Sequence, residues 1–242
     1  MPEPERRAQV RWAALPSAPY AVLAQLFMAV EIISNITASK GVELFSGVSF
    51  AIGPVQILPV VTDGAFFLFP LSYVIGDVLS EVYGFTATRR VVWAGFAGLI
   101  LAAVCFRAAI GLPSAPFYDR GGAFGQVLGA TPWLLAAGLA GFVSGELVNS
   151  YVMVALKRRS GERRLWLRLS SSTLAGEFVD TLVFCSIAAG AIGIATWRDF
   201  VNYTVFGFLW KSAVEFLVMP VTYQVIKLVK RLEPTYGGRV EA

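Results

Sequence analysis

Acidic side chains with polar partners recur inside long apolar stretches of this 242-residue chain. Each pair is three or four residues apart, so a helix places its two side chains on one face. The pairs are Glu31 with Asn35, Asp77 with Glu81, Glu146 with Asn149, Glu177 with Asp180, and Lys211 with Glu215. Such groups can hold a polar ligand by hydrogen bonds, or they can bind and release protons or cations. The pattern leaves both uses open.

The stretch from Pro70 to Gly84 is the clearest case of carboxylates in an apolar segment. Apart from its two acidic residues it is apolar enough for a membrane. Tyr73, Asp77 and Glu81 are four residues apart and form one stripe on a helix. An ionised carboxylate inside a membrane is rare and faces a bundle interior, a partner or water. We therefore expect this stripe to face inward.

Interhelical hydrogen bonds are the plainer explanation of these groups, at about 0.6 to 2 kcal/mol each, with Lys211 paired to Glu215. Carboxylates nevertheless outnumber the one lysine within the apolar spans. Unpaired buried charge is costly, so a hydrated central cavity is predicted.

Composition identifies an integral membrane protein. The chain is 56% hydrophobic and 15% charged, with a mean hydropathy of +0.65, whereas soluble domains carry about 25% charged residues. It contains no histidine, so no imidazole serves as base or metal ligand. Cys105 and Cys185 stand alone in apolar runs, which indicates packing rather than a disulfide or a metal site. The basic residues flank apolar spans, which is a topology signal and does not favour nucleic acid as a partner.

The hydropathy pattern predicts an all-α integral membrane protein with six transmembrane helices in one bundle. The predicted spans are 20–38, 65–83, 91–112, 131–156, 174–194 and 200–226, with kinks at Pro70 and Pro220. Residues 1–19 and 231–242 are predicted cytoplasmic tails around a transporter domain of residues 20–230. Fifteen lysines and arginines lie on the side of the termini and four on the other, so the positive-inside rule places both termini in the cytoplasm.

Two connections and one glycine pair add further expectations. Residues 41–64 are rich in glycine and proline and predict an outer loop or a partly re-entrant segment. Residues 113–130 predict an outer connection with a short interfacial helix over 123–128. Gly141 and Gly145 form a small-xxx-small pair, which suggests a homodimer.

Four stretches in order resemble the bacterial queuosine precursor transporter family: Ser34 to Lys40, Phe69 to Phe85, Ser171 to Phe184 and Lys211 to Tyr223. The resemblance implies a six-helix, multi-pass importer in the inner (plasma) membrane. Its substrate would be 7-cyano-7-deazaguanine, with the 7-aminomethyl compound as a second candidate, for tRNA queuosine synthesis. It also implies a likeness in shape to the six-helix substrate-binding components of energy-coupling-factor vitamin transporters. No cofactor is implied.

The same motifs suggest how a guanine-like base would be bound. A carboxylate of Asp180 or Glu177 can accept from a ring N–H and the adjacent exocyclic amine at once. Asp77 and Asp180 are the strongest candidates, while Glu81 fits either the site or a salt bridge with the nearby Arg89 and Arg90. The substrate-binding candidates are Asn35, Tyr73, Asp77, Glu146, Asn149, Glu177, Asp180, Phe184, Trp210 and Lys211, with Tyr73, Phe184 and Trp210 as stacking platforms.

Two other functions compete with the importer. One is a substrate-binding subunit of an ATPase-driven vitamin or purine uptake complex, whose partner would hydrolyse ATP because this sequence has no P-loop motif. The other is an intramembrane metal-dependent enzyme in which Glu177 and Asp180 share a divalent ion. The absence of histidine and of a nucleophile elbow does not favour the enzyme. Proton coupling, facilitated diffusion and a partner ATPase all remain open as driving forces.

Overall fold

The computed structural model describes residues 10–52, 55–58, 60–129, 132–189, 194–236 and 239–241. These residues form seven α-helices and six short strands. The helices are α1 (Ala18–Thr37), α2 (Phe69–Tyr83), α3 (Phe85–Gly111), α4 (Gly121–Leu128), α5 (Pro132–Ser160), α6 (Leu165–Ala188) and α7 (Trp197–Leu232). The strands are β1 (Val10–Trp12), β2 (Gly41–Leu44), β3 (Phe50–Ile52), β4 (Val55–Leu58), β5 (Val60–Asp63) and β6 (Arg239–Glu241).

Four of the helices are long and apolar enough to cross a membrane: α1, α3, most of α5 and most of α7. The other two predicted spans correspond to α2, which has only 15 residues, and to α6, which carries Glu177 and Asp180. The short predicted helix corresponds to α4, which begins at Gly121. A helical membrane protein is therefore confirmed.

The long helices alternate in direction, as contacts between their ends show. The start of α1 meets the start of α3, where the Tyr20 hydroxyl donates to the Ala87 carbonyl at 3.1 Å. The ends of α2 and α7 meet at the same end of the bundle, since the Tyr83 hydroxyl donates to Glu233 at 2.8 Å. The end of α5 and the start of α6 join them there through Glu81 of α2. Six helices thus run alternately up and down.

Helix α2 occupies the centre of this bundle. All twelve residues from Ser72 to Tyr83 are buried, and the helix contacts α1, α3, α5, α7 and β1. The predicted inward stripe is present, but the opposite face is buried as well. Pro70 lies in the first turn of α2, where its missing N–H costs no intrahelical bond, so the predicted kink there is wrong. Pro220 lies inside α7, as predicted.

Two predicted helix boundaries are wrong for a physical reason. Gly84 ends α2 with φ of +83°, a left-handed value that glycine adopts without strain, and α3 begins at the next residue. Arg89 and Arg90 therefore belong to α3, which was predicted to begin only at residue 91. Helix α6 begins at Leu165, nine residues before the predicted start, because Leu165 and Leu169 are buried on its inner face.

Helices α5 and α6 cross closely at glycines. A Cβ on Gly145 would lie 2.6 Å from the Asp180 Cβ, and one on Gly176 would lie 2.8 Å from the Asn149 Cβ. A Cβ on Gly141 would lie 2.6 Å from an Asp180 carboxylate oxygen. The small-residue pair that suggested a homodimer is thus used within the chain, and that motive for a second copy is removed.

The described residues of this segment, 41–52, 55–58 and 60–63, form a β extension rather than an irregular loop. Strand β2 pairs with β5 and β3 pairs with β4, both antiparallel, and Phe45 and Val48 on this extension are exposed. The two ends of the chain also pair, β1 with β6. Trp12 and Ala13 are buried against the bundle, so the part of the predicted N-terminal tail that the structure describes packs on the helices.

Candidate functional site

Six carboxylates converge inside the bundle, and we call them the carboxylate cluster. Five are buried, and Glu215 is half-buried. The members are Glu31 of α1, Asp77 of α2, Glu146 of α5, Glu177 and Asp180 of α6, and Glu215 of α7. Glu146 lies within electrostatic range of Asp77, Glu215 and Glu31, and Glu215 lies within range of Glu177. One lysine, Lys211, lies among these six acids.

Asp180 is the most fully engaged member of the cluster. The Lys211 ammonium donates to its Oδ2 at 2.5 Å and the Tyr73 hydroxyl donates to the same oxygen at 3.2 Å. The absence of a side chain at Gly141 and Gly145 gives Asp180 room beside α5. This arrangement joins α2, α6 and α7. Lys211 pairs with Asp180 rather than with Glu215, which corrects the plainer sequence interpretation.

Asp77 and Glu146 are held between α2 and α5. The Asn149 amide donates to Asp77 Oδ1 at 2.9 Å. Glu146 lies directly over Gly76, where a Cβ would overlap Oε1 of Glu146. The Ser150 hydroxyl is 3.4 Å from the same oxygen. The predicted residues Asp77, Glu146 and Asn149 thus belong to one contact region.

Two hydroxyl partners of the cluster were not predicted from the sequence. The Ser72 hydroxyl donates to Glu31 Oε1 between α2 and α1, and the Thr173 hydroxyl donates to Glu215 Oε2 at 3.0 Å between α6 and α7. Serine and threonine are common in apolar helices, where they bond to backbone carbonyls. Their occurrence alone therefore carries no signal of this role.

Several buried acceptor atoms of the cluster have no hydrogen-bond donor among the described residues. They are both carboxylate oxygens of Glu177, Glu146 Oε2, Glu215 Oε1 and the Asn149 side-chain oxygen. The Lys211 ammonium is 4.0 Å from Glu177 Oε2, beyond hydrogen-bond reach. The Tyr73 hydroxyl is close to Glu177 but donates to Asp180. Buried polar groups are normally satisfied, so this set suits a ligand that is rich in donors.

Three predicted site residues lie at or beyond the edge of this cluster. Asn35 lines a cavity of about 280 Å³ between α1, α3 and α4, together with Arg107 and Leu99. Phe184 is half-buried next to Gly141. Trp210 is 38% exposed, next in sequence to Lys211. Tyr73 is buried and acts as a hydrogen-bond donor, with its ring 6.2 Å from that of Phe142.

A second group of charges, which we call the end ion cluster, surrounds Glu81 where the chain termini lie. Arg168 binds both Glu81 oxygens, at 2.7 and 3.2 Å, and Lys230 donates to Oε1 at 2.7 Å. Lys157 donates to the Glu81 backbone carbonyl. These partners replace Arg89 and Arg90, which the sequence had suggested. Glu81 therefore ties α2 to α5, α6 and α7.

Two carboxylates next to this end carry shifted pKa values. Burial would raise the pKa of Glu162, but Lys157 and Lys230 outweigh it and lower the pKa to about 2. Burial would also raise the pKa of Glu233. Hydrogen bonds from Thr235, Ser17 and Tyr83 outweigh this effect and lower the pKa. Both groups are ionised at neutral pH and connect the two terminal segments to the bundle.

Alternating apolar helices around an inward-facing row of acids define a multi-pass membrane protein with a polar interior, the architecture of a solute transporter. Residues 63–225 match the family described as "Putative vitamin uptake transporter", and the chain belongs to that family.

A curated relative supports the same class. The chain is 26% identical over 197 residues to a protein of Bacillus subtilis (strain 168) named "Probable queuosine precursor transporter", covering 81% of this chain and 80% of the relative. No solved structure matches. The resemblance seen in the sequence motifs is thereby confirmed.

Proposed function

We propose that this protein imports queuosine precursors of the 7-deazaguanine class, with 7-cyano-7-deazaguanine as the first candidate and its 7-aminomethyl analogue as the second. The observation that supports the proposal best is the set of unsatisfied buried acceptors at Glu146, Glu177 and Glu215 in a chain of this family. A 7-deazaguanine base offers a ring N–H and an exocyclic amine on one edge and a further N–H on the pyrrole ring. These donors match an acceptor-rich site.

Glu177 is the proposed partner of the base edge. Asp180 already holds Lys211 and Tyr73, whereas both Glu177 oxygens lack donors. A carboxylate that accepts from the ring N–H and the amine together forms the strong bidentate arrangement. Lys211 and Tyr73, fixed on Asp180, then border the bound base.

The plasma membrane is the proposed location.

The proposed topology has six crossings with both termini in the cytoplasm. Three observations support it: the helices α1, α2, α3, α5, α6 and α7 alternate in direction, the terminal strands pair with each other, and basic residues dominate at that end. Helix α2, at about 1.5 Å per residue, is shorter than a membrane core. Because α2 is surrounded by protein, its ends do not need to reach the lipid boundary.

The test is equilibrium binding of 7-cyano-7-deazaguanine to the purified full-length protein in detergent. We expect Glu177→Gln to weaken binding by at least about tenfold, because a charge-assisted hydrogen bond contributes about 1.5 to 3 kcal/mol. Glu43→Gln, on the exposed β extension, removes the same charge and serves as the matched control. It is expected to bind as the wild type does.

A second ligand distinguishes a direct contact between Glu177 and the base from a general loss of binding in the variant. An analogue without the exocyclic amine is expected to bind the wild type more weakly than the parent base. Glu177→Gln is expected to discriminate less between parent and analogue, because glutamine keeps one carbonyl acceptor but loses the charge and replaces the other acceptor with a donor amide. Full discrimination by Glu177→Gln would refute the assigned contact, and a folded wild type that binds no 7-deazaguanine would refute the proposed substrate.

The metal-dependent enzyme is less well supported by this geometry. The Lys211 ammonium lies 2.5 Å from Asp180 Oδ2 and 4.0 Å from Glu177 Oε2, so a cationic group already occupies the space between the two proposed ligands. The ATPase-driven alternative differs from the importer in one outcome: uptake by the isolated chain in liposomes eliminates it.

A further inference from the structure

A cavity of about 880 Å³ lies outside the carboxylate cluster, at the end of the bundle that holds the termini. It opens between the start of α3, the end of α5 and the segment after β1. We call it the arginine cavity. The lining residues that matter here are Trp12, Phe85, Arg90, Tyr151, Arg158 and Arg159. The proposed transport path does not use it.

The walls of the arginine cavity offer positive charge and hydrogen-bond donors. Three arginines line it, and no acidic residue is among its described lining residues. The indole N–H of Trp12, a residue only 4% exposed, has no acceptor among the described residues. Indole nitrogen is a donor only, so an acceptor group of a ligand in the cavity would satisfy it. All these features call for an anion.

The backbone adds to the same preference. Helix α3 begins at Phe85 on the cavity wall, and no side chain caps its first turn. A helix N-terminus carries partial positive charge and free N–H groups, which favour phosphate. Gly84, with φ of +83°, lets the turn pass close to the Trp12 ring, where a Cβ would approach within 3.3 Å. The donors of the two segments are thus held side by side.

The position of the cavity points to a lipid rather than a soluble anion. Both α3 and α5 are long and apolar enough to cross a membrane, and the cavity lies at their ends. Tyr151 is 62% exposed on α5, and its ring meets Phe85 edge to face at 6.0 Å. Aromatic rings at helix ends mark the membrane interface, and basic pockets between membrane helices bind anionic head groups.

We propose that the arginine cavity binds the phosphate of an anionic phospholipid such as phosphatidylglycerol. Arg90 and Arg159 hold the phosphate, since guanidinium matches its geometry. The Trp12 indole N–H and the first turn of α3 complete the donor set. The acyl chains then lie along the outward side of α5 next to Tyr151. The bound lipid would connect α3 to α5 at this end.

The test is lipid binding by the full-length protein, measured in detergent by native mass spectrometry with phosphatidylglycerol and phosphatidylcholine. Wild type is expected to prefer phosphatidylglycerol by at least about tenfold, as each cation near an anionic head group contributes severalfold. Arg90→Gln with Arg159→Gln is expected to reduce that preference to within about twofold of unity. Arg163→Gln with Arg231→Gln removes two exposed arginines from the same end of the bundle. This control variant is expected to keep the wild-type preference for phosphatidylglycerol.

Each outcome decides the proposal. Equal binding of the two lipids by the wild type overturns the proposal, and this comparison does not depend on any variant. An unchanged preference in the Arg90 and Arg159 double variant also overturns it. Competition by inorganic phosphate or glycerol phosphate at concentrations equal to the lipid would show a soluble-anion site and remove the lipid assignment. A preference lost in the cavity variant alone, without such competition, supports it.

Discussion

At the scale of single residues, the ion pair of Lys211 with Asp180 compensates one negative charge of the carboxylate cluster. The Lys211 side chain is 42% exposed and that of Asp180 only 6%. The lysine therefore reaches from the edge of the bundle toward the buried acids. Removing one partner of a buried pair leaves the other uncompensated, whereas removing both can be nearly neutral for stability.

This difference gives a prediction for a double-mutant cycle. Asp180→Asn is expected to destabilise the detergent-solubilised protein by about 1 to 3 kcal/mol. Adding Lys211→Gln is expected to recover part of that stability in thermal unfolding. Substrate binding should stay at least about tenfold below wild type in both variants, because the single variant loses the acceptor that fixes the Tyr73 and Lys211 donors and the double variant lacks the lysine as well. Wild-type binding by the double variant would show that the pair is structural only.

Glu162 gives a prediction for acid stability. The lysines beside it lower its pKa to about 2 in the folded protein, against an unfolded value near 4.5. A lowered folded pKa stabilises the protein above the unfolded pKa, and this contribution is lost as pH falls toward the folded pKa. We expect the melting temperature of wild type to exceed that of Glu162→Gln at pH 7, with the difference narrowing from about pH 5 toward pH 3.

The control for this experiment is Glu43→Gln, which removes a carboxylate from the exposed β extension. The difference in melting temperature between Glu43→Gln and wild type is expected to stay small throughout the same pH range. A difference for Glu162→Gln that is constant with pH would mean that the ion pairs of Lys157 and Lys230 do not stabilise the folded state.

The residue scale also shows where sequence reasoning succeeds and where it stops. The stripe of Tyr73 and Asp77 on α2 could be predicted because side chains four apart share a helix face. The partner of each acid could not, since partners come from other helices. Asp180 meets Lys211 31 residues away, and Asp77 meets Asn149 72 residues away. Nothing in the local pattern distinguishes those partners from Glu215 or Glu81.

At the scale of elements, the crossing of α5 and α6 is the tightest contact that positions the site. Gly145 and Gly176 let the two backbones approach, and Asp180 and Asn149 lie on that crossing. The sequence identified the small-residue pair correctly but assigned it to a second copy of the chain. The pattern allows close packing and does not specify the partner helix.

Two glycines of α5 make a matched test of this crossing. Gly145→Ala would bring a Cβ within 2.6 Å of the Asp180 Cβ and 2.8 Å of the Gly176 carbonyl. Because backbone cannot yield easily, we expect a loss of about 1 to 3 kcal/mol and weaker substrate binding. Gly138→Ala, with nothing within 4 Å, is expected to be neutral or slightly stabilising, since alanine favours helix. Equal melting temperatures for the two variants would contradict the crossing.

At the scale of the whole molecule, composition and hydropathy predicted the class, a helical membrane protein, and four of the predicted spans are long and apolar enough to cross a membrane. They could not predict the β extension formed by strands β2 to β5, because the glycines and prolines of this segment fitted a loop equally well. They also missed that α2 is surrounded by protein. Its length of 15 residues and its acids weaken the signal of a membrane span, while burial by neighbouring helices is what makes a short, polar helix tolerable there.

The number of crossings is the property of the whole molecule that a labelling experiment decides. Six crossings place the connection after α3 outside the cell and the connection between α5 and α6 inside. Four crossings, by α1, α3, α5 and α7 alone, reverse both positions. Both schemes keep the termini on one side, so tags on the termini do not separate them.

We predict the six-crossing result. In a Cys105→Ser background, Asp119→Cys is expected to react with a membrane-impermeant thiol reagent in intact cells, and Arg163→Cys only after lysis. Asp119 has a 92% exposed side chain and Arg163 is exposed, so reactivity reports the side of the membrane rather than burial. Cys185 is buried and contributes little background. The reverse pattern would require α1 and α3 to run in opposite directions, against the contact between their starts, and would leave Asp77, Glu177 and Asp180 on helices that do not cross the membrane.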